Sequence, residues 1–515
     1  MRKPITEHVA SPPDAARRTA LLRFLPLLLA GLGLAGLTLY AYRNLPERPF
    51  AADDYQWLLN VQQRDLAAML RVAFDPAEQS HFYRPLVWLL FWVQLRLFGL
   101  EPLGFHLVSL GLHLLNAALL AALAYRLTQP AEQATQNSKL KTQNSALLLA
   151  GALAALHPTP FEAVAWVSAQ SELLAAALLL TMLHLWISRW RAGGGLWPVA
   201  ATLLLALALL AKESAVIGLG LLALLEWGRT PAPQPGAQAS AWRRALPLAL
   251  PGLLTLGYLL LQVQIAERNY LLGSGGYGLG WQLVQNPLRS LALIVAPLPG
   301  TEHANAAWLP PVGAVVAVLL GLVLLAGLFA RRSATARCRV AAALALLLTL
   351  LPTAPFTSPP DSRYLYLPVF AAALLLALLI THGLAPASPP QLKTQNSTLN
   401  TQRLAAWFLV LCALLLLWQA PGEVAGREGR FAAATGPGGS LWRLASGLCA
   451  AETPQRLLVV EPPLAGPHAE AIVRLACGPD VRPMVVARDQ IEQAIEPNSV
   501  VVGFPNGSAE IERRT

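Results

Sequence analysis

Charged residues are scarce in this chain. Of its 515 residues only 13% are charged, whereas 55% are hydrophobic, and the mean hydropathy is +0.48. An ordinary soluble domain has about 25% charged residues. Because the deficit extends along most of the sequence, it excludes a soluble enzyme, a disordered tail protein and a coiled coil. The composition is typical of a polytopic membrane protein.

Cysteines are few and the common catalytic motifs are missing. Four cysteines exclude a disulfide scaffold, and the sequence has no CxxC motif or Cys/His cluster that would indicate zinc. It has no P-loop, GxSxG or HExxH motif and no GxGxxG in a βαβ context, so nucleotide hydrolysis and metalloprotease chemistry have no support. Cys449 and Cys477 share the C-terminal segment, and they can pair only if it lies in an oxidising compartment.

Long apolar runs are what the sequence has in abundance. Several are shorter than the roughly 20 residues that a membrane helix needs, so we expect about eleven spans. The runs cover residues 20–43, 104–126, 146–164, 170–188, 196–211, 214–227, 245–264, 311–330, 340–352, 368–384 and 404–420. The first run is longer than the apolar part of a signal peptide and lacks a convincing cleavage site, which predicts an uncleaved helix.

The charge distribution predicts the orientation. The formal net charge is +10, and basic residues gather in alternate loops, as expected for cytoplasmic loops rather than for nucleic-acid binding. These loops are 126–141, 189–191, 229–244, 331–339 and 393–403. The opposite loops hold the acidic residues. We therefore expect a multi-pass protein of a bacterial-type plasma membrane, with residues 1–19 in the cytoplasm and the C-terminus outside.

The chain divides into a transmembrane domain and a C-terminal segment. The predicted transmembrane domain, 20–420, includes a first outside loop at 44–103. Within that loop the aromatic stretch 83–99 favours a helix in the membrane interface, with a short span as the alternative, and 281–299 is similar. Residues 421–515 show strand, helix, strand and strand patterns. The predicted fold is an all-α membrane domain with a small extracytoplasmic α/β domain.

Two adjacent acids follow the first predicted span. Asp53 and Asp54 lie in RPFAADDYQWLL, and ionisable groups at membrane depth indicate a functional site. Two neighbouring carboxylates raise one another's pKa, which suits a general base that accepts a proton from a hydroxyl. The alternative is a helix N-cap, because a helical pattern begins here.

His157 and Lys212 lie at the predicted ends of spans. His157 has the chemistry to bond a phosphate or a carboxylate, although a lone histidine is more often structural. Lys212 can hold an anionic headgroup as a point charge, or it forms a self-neutralising turn with Glu213.

The segment PPDSRYLYLP places an arginine beside two tyrosines just before a span. A guanidinium binds phosphate through paired hydrogen bonds, so Arg363, Tyr364 and Tyr366 suit a phosphate at the interface. The alternative is an aromatic belt with an arginine that reaches toward water.

Taken in order, these motifs resemble a known family. The acidic pair, YRPL, GFHL, LHLLNA, HP with EAVAW, AKES and RYLYLP resemble the GT-C membrane glycosyltransferases over about residues 20–420. The nearest branch is the protein O-mannosyltransferase-like one whose eukaryotic members carry tetratricopeptide repeats. This chain departs from it by having no 34-residue repeat and by ending in a short α/β segment. A protein acceptor therefore does not follow from the resemblance.

The resemblance implies transfer of a sugar from a polyprenyl-phosphate-linked donor at the extracytoplasmic face, usually with inversion. The acceptor is a glycan, a lipid or a protein. The implied base is Asp53 or Asp54, with Asp53 favoured. The implied donor-phosphate and substrate site consists of Arg363, Tyr364, Tyr366, Lys212, His157 and Arg84. No cofactor is implied, and although adjacent acids can hold a divalent cation, no ligand set is complete.

Two other functions remain open at the sequence level. One is a non-catalytic membrane scaffold that binds through its outer domain. The other is a transporter of lipid-linked sugar, although transporters often have internal repeats and charges in the middle of their spans. Here the ionisable residues lie at the outer ends of spans, which favours the transferase.

Overall fold

The computed structural model describes residues 13–78, 82–128, 136–192, 196–229, 246–266, 273, 275–299, 306–330, 333–384 and 396–515. The long helices of the membrane domain are α1 (Pro13–Ala41), α5 (Pro102–Leu127), α6 (Gln136–Leu156), α8 (Gln170–Ala192), α9 (Trp197–Ala211), α10 (Ile217–Arg229), α11 (Ala249–Ala266), α13 (Leu309–Phe329), α14 (Ala334–Leu350), α15 (Tyr366–Gly383) and α16 (Asn396–Ala451). The outer helices of this part are α2 (Asp54–Gln62), α3 (Leu66–Phe74), α4 (Pro85–Phe98), α7 (Phe161–Ala165) and α12 (Gln282–Val295).

Seven segments in the described part of the chain are long and apolar enough to cross a membrane. In the span that contains α15, 72% of the most apolar window is buried, against 17% for the spans of α11 and α13. Helix α15 therefore lies in the interior of the helix bundle, whereas α11 and α13 expose leucine and valine side chains on the lipid-facing surface. The protein is an integral, multi-pass membrane protein. Each predicted apolar run falls on a helix except 146–164, which is divided between α6 and α7, and the count of about eleven spans stays a prediction.

One predicted run is interrupted. The run 146–164 is divided at His157-Pro158, where a span was expected to end: α6 ends at Leu156 and a separate short helix, α7, follows. Pro158 explains the break, because the residue before a proline is disfavoured in the helical conformation. The interruption places the connection between α7 and α8 against the first outside loop, where Ser168 contacts Asp54.

The first outside loop is itself helical. Helices α2, α3 and α4 fill it, and α4 corresponds to the predicted interface helix. Pro85 opens α4 at a position where its missing N–H costs nothing, and Gly99 ends it with a φ of +61°. At 1.5 Å per residue its 14 residues reach about 21 Å, less than the bilayer core. This length favours the interface over a full crossing.

Helix α16 continues well beyond the predicted domain boundary. The boundary at 421 lies inside this 56-residue helix, which spans about 84 Å and contains Pro421 and Pro437. The outer half of α16 packs on the first outside loop, and a Cβ built on Gly439 would lie 2.6 Å from the ring of Pro49. Packing against that loop supports the helix where proline would otherwise favour an end. The α/β fold therefore begins only at Arg456.

The C-terminal domain is a four-stranded sheet. Its strands are β1 (Arg456–Val460), β2 (Arg482–Val486), β3 (Ser499–Gly503) and β4 (Glu510–Arg514), with the helices α17 (Gly466–Cys477) and α18 (Ile491–Ala494). The order is β2-β1-β3-β4, in which β1 is parallel to β2 and β3, and β4 is antiparallel to β3. The strand β4 was not predicted, because EIERR lies largely exposed at the edge and lacks an apolar pattern.

The two largest hydrophobic clusters of the described residues lie in different parts of the molecule. One lies among the membrane helices. The other joins the first outside loop to the C-terminal domain, with Leu58 of α2, Phe91 of α4, Val459 of β1 and Ile472 of α17 in the same buried cluster. A disulfide between Cys449 and Cys477 ties the end of α16 to α17. The α/β domain is thus fixed over the first outside loop.

Candidate active site

A cavity of about 630 Å³ lies between the first outside loop and the C-terminal domain. Its walls come from the start of α2, the start of α4, the connection between α7 and α8, the end of α9, the turn before α15 and the start of α17. The interrupted run at His157 and the extension of α16 are what bring these elements together. Asp53, Arg84, Lys212, Arg363 and Tyr364, all predicted site residues, line this one cavity.

Asp53 presents its carboxylate to the cavity. It immediately precedes α2, yet its side chain makes no capping hydrogen bond, so the N-cap alternative does not describe it. Burial raises the pKa of the Asp53 carboxyl, with its own backbone hydrogen bond and the nearby positive groups acting in the opposite direction. Ala52, just before it, has a φ of +46°, a strained conformation for a residue other than glycine.

Asp54 is buried away from the cavity and ties two elements together. Its Oδ2 accepts a 2.8 Å hydrogen bond from the backbone N–H of Ala51. Its Oδ1 accepts a 2.6 Å bond from the backbone N–H of Ser168 and another from the Ser168 hydroxyl. Burial, followed by the charge of Asp53, raises the pKa of Asp54 to about 7. The adjacent acids therefore differ: one faces the cavity, and the other holds α2 against the turn that follows α7.

Three cations on the cavity wall each pair with acids distant in sequence. Arg84 makes two hydrogen bonds, of 2.8 and 2.6 Å, to the carboxylate of Glu213. Lys212 Nζ lies 2.6 Å from Glu172 Oε1. The alternative of a turn in which Lys212 and Glu213 neutralise each other does not describe the structure, because each of the two side chains has an ion-pair partner on another element.

Arg363 is held by acids and aromatic rings together. Its Nη1 lies 2.5 Å from Glu162 Oε1 and its Nη2 lies 2.8 Å from Asp361 Oδ2. The guanidinium carbon stands 4.6 Å from the ring centre of Trp166 and 4.7 Å from that of Tyr364. Such cation–π contacts fix the direction of the charge. The Arg363 guanidinium therefore faces the cavity in a defined orientation.

Glu162 and Glu172 were not among the predicted site residues. Glu162 Oε2 also accepts hydrogen bonds of 3.2 Å from the Ser362 hydroxyl and the Arg363 backbone N–H. Glu162 therefore shapes the turn as well as the side chain of Arg363. Both glutamates flank an aromatic stretch between two predicted spans, and this position is the sequence feature that could have identified them. Their ion-pair partners lie too far away along the chain to be deduced from the sequence.

Two predicted site residues do not reach the cavity. His157 is buried, with Nε2 donating to Ile294 O at 2.8 Å and Nδ1 accepting from Thr159 N at 3.2 Å. The hydroxyl of Tyr366 accepts from Asn116 Nδ2 at 3.1 Å and contacts His113 Nδ1 at 3.0 Å. Their polar atoms are satisfied inside the protein, which favours a structural role, and the expected contact of these residues with a donor phosphate stays a prediction.

Several cavity residues were not foreseen. Helix α2 contributes Gln56, Trp57 and Asn60, and the segment 465–468 at the start of α17 contributes His468. Neither segment has a motif that sequence analysis could recognise. As for metals, no three His, Cys, Asp or Glu side chains within the described ranges come together as a ligand set. Both oxygens of Asp54 already accept hydrogen bonds from the protein.

No protein-family model and no curated protein sequence matches the chain. Among solved structures it is similar to ArnT from Cupriavidus metallidurans bound to undecaprenyl phosphate, with 14% identity, 93% of each chain covered and a TM-score of 0.45. It is also similar to the oligosaccharyltransferase AglB from Archaeoglobus fulgidus in complex with an inhibitory peptide and a dolichol-phosphate. There the identity is 13% and the TM-score 0.47, over 88% of this chain and 64% of that one.

At 13–14% identity these similarities concern the fold alone, and the resemblance to the GT-C membrane glycosyltransferases stays one of sequence motifs. The narrower protein O-mannosyltransferase-like branch stays a prediction. The function proposed below rests on the geometry of the cavity rather than on these similarities.

Proposed function

We propose that this protein transfers a sugar from a polyprenyl-phosphate-linked donor to an acceptor hydroxyl at the extracytoplasmic membrane face. One observation supports this above all: the carboxylate of Asp53 shares a cavity with three cations. Lys212 and Arg363 lie next to ends of the membrane helices α9 and α15, and Arg84 immediately precedes the interface helix α4. A lipid-borne donor has its phosphate at the membrane surface, where the membrane helices end, and its tail lies among the helices or in lipid. The disulfide of the C-terminal domain supports an oxidising, extracytoplasmic location for the cavity.

In this proposal Asp53 is the general base. The acceptor oxygen attacks the anomeric carbon of the donor sugar while its proton passes to the Asp53 carboxylate. The bond between that carbon and the phosphate oxygen breaks, and polyprenyl phosphate leaves with the bonding electron pair. A single displacement of this kind inverts the anomeric configuration. A pKa raised by burial makes the Asp53 carboxylate a stronger base than an exposed aspartate.

The three cations stabilise the charge that grows on the leaving phosphate. Arg363, Arg84 and Lys212 are oriented in advance by their ion-pair partners, so little reorganisation is needed during the reaction. Tyr364 lies beside two of them, with Lys212 Nζ 5.2 Å from its ring centre. Asp54 acts through position alone, because it fixes the first turn of α2 and thereby the direction of Asp53.

The test measures release of sugar from radiolabelled polyprenyl-phosphate donors by the full-length protein in bilayer discs. We expect Asp53→Asn to lower the release rate by roughly 100-fold or more, the usual contribution of a general base. Asp65→Asn is the matched control, because Asp65 caps α3 outside the cavity and asparagine also serves as an N-cap. Equal rates in wild type and Asp53→Asn would contradict the proposal and favour the scaffold function.

A further inference from the structure

One face of α2 lines the cavity beyond Asp53. Asp53, Gln56, Trp57 and Asn60 are spaced as i, i+3, i+4 and i+7, so they form one stripe along the helix. With a rise of 1.5 Å per residue, Asn60 lies about 10 Å along the axis from Asp53. The stripe therefore leads away from the proposed base and offers room for an extended molecule.

The polar groups on this stripe are not used by the protein. Within the described ranges no hydrogen bond engages the side-chain amide of Gln56 or of Asn60. A primary amide presents both donors and acceptors, and a sugar hydroxyl is likewise both donor and acceptor. A fully ionised phosphate or carboxylate has no hydrogen to donate, so it would leave the two amide oxygens without a partner. The two amides thus match a neutral, hydroxyl-rich ligand.

Trp57 adds a fixed aromatic surface between the amides. Its ring stacks on Phe91 at 5.5 Å between ring centres and meets Trp88 edge to face at 5.2 Å. Both partners belong to α4 and are themselves buried. A rigid ring with one side toward the cavity gives the apolar C–H face of a sugar a packing surface at little cost in conformational entropy.

The C-terminal domain closes this part of the cavity with a wall that has no lysine or arginine. The domain contributes Ala465, Pro467 and His468 to the lining. The lysine and arginine side chains of the lining come instead from the ends of membrane helices and from α4; they are Arg84, Lys212 and Arg363. The strong cations thus belong to the elements to which we assign the donor phosphate. The α2 stripe and the 465–468 wall suit an uncharged acceptor.

We infer that the α2 stripe and the 465–468 segment form the acceptor subsite, and that the acceptor is a neutral glycan whose hydroxyls bond Gln56 and Asn60 while one ring packs on Trp57. This inference rests on the proposed function, because it takes Asp53 at the head of the stripe as the base. It assigns recognition of the acceptor jointly to the first outside loop and the C-terminal domain.

The test is equilibrium binding of tritiated neutral oligosaccharides of glucose, mannose and N-acetylglucosamine to the full-length protein in bilayer discs, without donor. We expect at least one of these oligosaccharides to bind. Gln56→Ala and Asn60→Ala should each raise its Kd about tenfold, which is near the upper end of what the loss of one hydrogen bond costs in binding free energy. Gln63→Ala is the matched control, since Gln63 is exposed just beyond α2 and does not line the cavity.

Unchanged affinity in both amide variants would overturn the inference, as would binding of a Ser/Thr-rich peptide with no binding of any oligosaccharide. Sugar release from donor by the wild type is measured in the same discs. Sugar release without oligosaccharide binding would agree with the proposed function and would contradict the glycan subsite. Oligosaccharide binding that depends on Gln56 and Asn60, without release from any donor, removes the transferase and leaves a glycan-binding site.

Discussion

At the scale of single residues, the two adjacent acids have different environments, although both were candidate bases. Asp53 is free toward the cavity, whereas Asp54 has both oxygens engaged. The sequence predicted the pair, and it ranked Asp53 first only through the family resemblance. The division of roles depends on Ser168, more than a hundred positions away, and no local pattern indicates that contact.

The raised pKa of Asp53 predicts the pH dependence of sugar release. A base must be ionised to accept a proton, so release falls as pH falls through the pKa of Asp53. Because burial raises that pKa above the ordinary value of 3.8, we expect the acid limb of the rate profile to lie above pH 3.8, with a plateau at higher pH. The rate is measured from pH 3 to 9, with tryptophan fluorescence as the control for folding. A limb at or below 3.8 would contradict this assignment.

At the scale of elements, apolar runs and strand patterns were predictable because they depend on local composition. The residues at which helices and strands end were less predictable from the sequence. The Pro421 region was expected to end the last span, but packing of α16 on the first outside loop overrides the local preference. Ion-pair partners were the least predictable feature, because Arg84 and Glu213 are separated by 129 positions and either could pair locally by sequence alone.

Close packing of α16 on the first outside loop predicts an asymmetry between two glycines of that helix. A Cβ at Gly439 would lie 2.6 and 2.9 Å from ring atoms of Pro49, whereas one at Gly447 would meet nothing within 4 Å. We expect Gly439→Ala to destabilise the outer core by about 1–3 kcal/mol, as overpacking does. Gly447→Ala is the control and should be neutral or stabilising by about 0.5–1 kcal/mol, because alanine favours helix. Thermal unfolding in bilayer discs measures both, and equal effects would contradict the close contact.

At the scale of the whole molecule, the cavity exists only because two distant parts of the chain share one hydrophobic core. The first outside loop supplies Asp53 and the α2 stripe, and the C-terminal domain supplies the opposite wall. The charge pattern predicts that both lie outside the cytoplasmic membrane. The disulfide between Cys449 and Cys477 agrees with that location, since such bonds persist in oxidising compartments. The orientation of the whole chain can therefore be tested through one pair of thiols.

We expect the pair to be oxidised in cells and each partner to become reactive from outside when the other is removed. In a background without the free cysteines Cys338 and Cys412, a membrane-impermeant maleimide applied to intact spheroplasts should not label the chain. Cys449→Ser and Cys477→Ser should each expose one thiol and restore labelling. Ser333→Cys in the same background, at an exposed position of the predicted cytoplasmic loop 331–339, should stay unlabelled until the membrane is permeabilised. Labelling of the single-thiol variants only after permeabilisation would reverse the orientation and place the cavity on the cytoplasmic side, where a donor at the extracytoplasmic face cannot reach it.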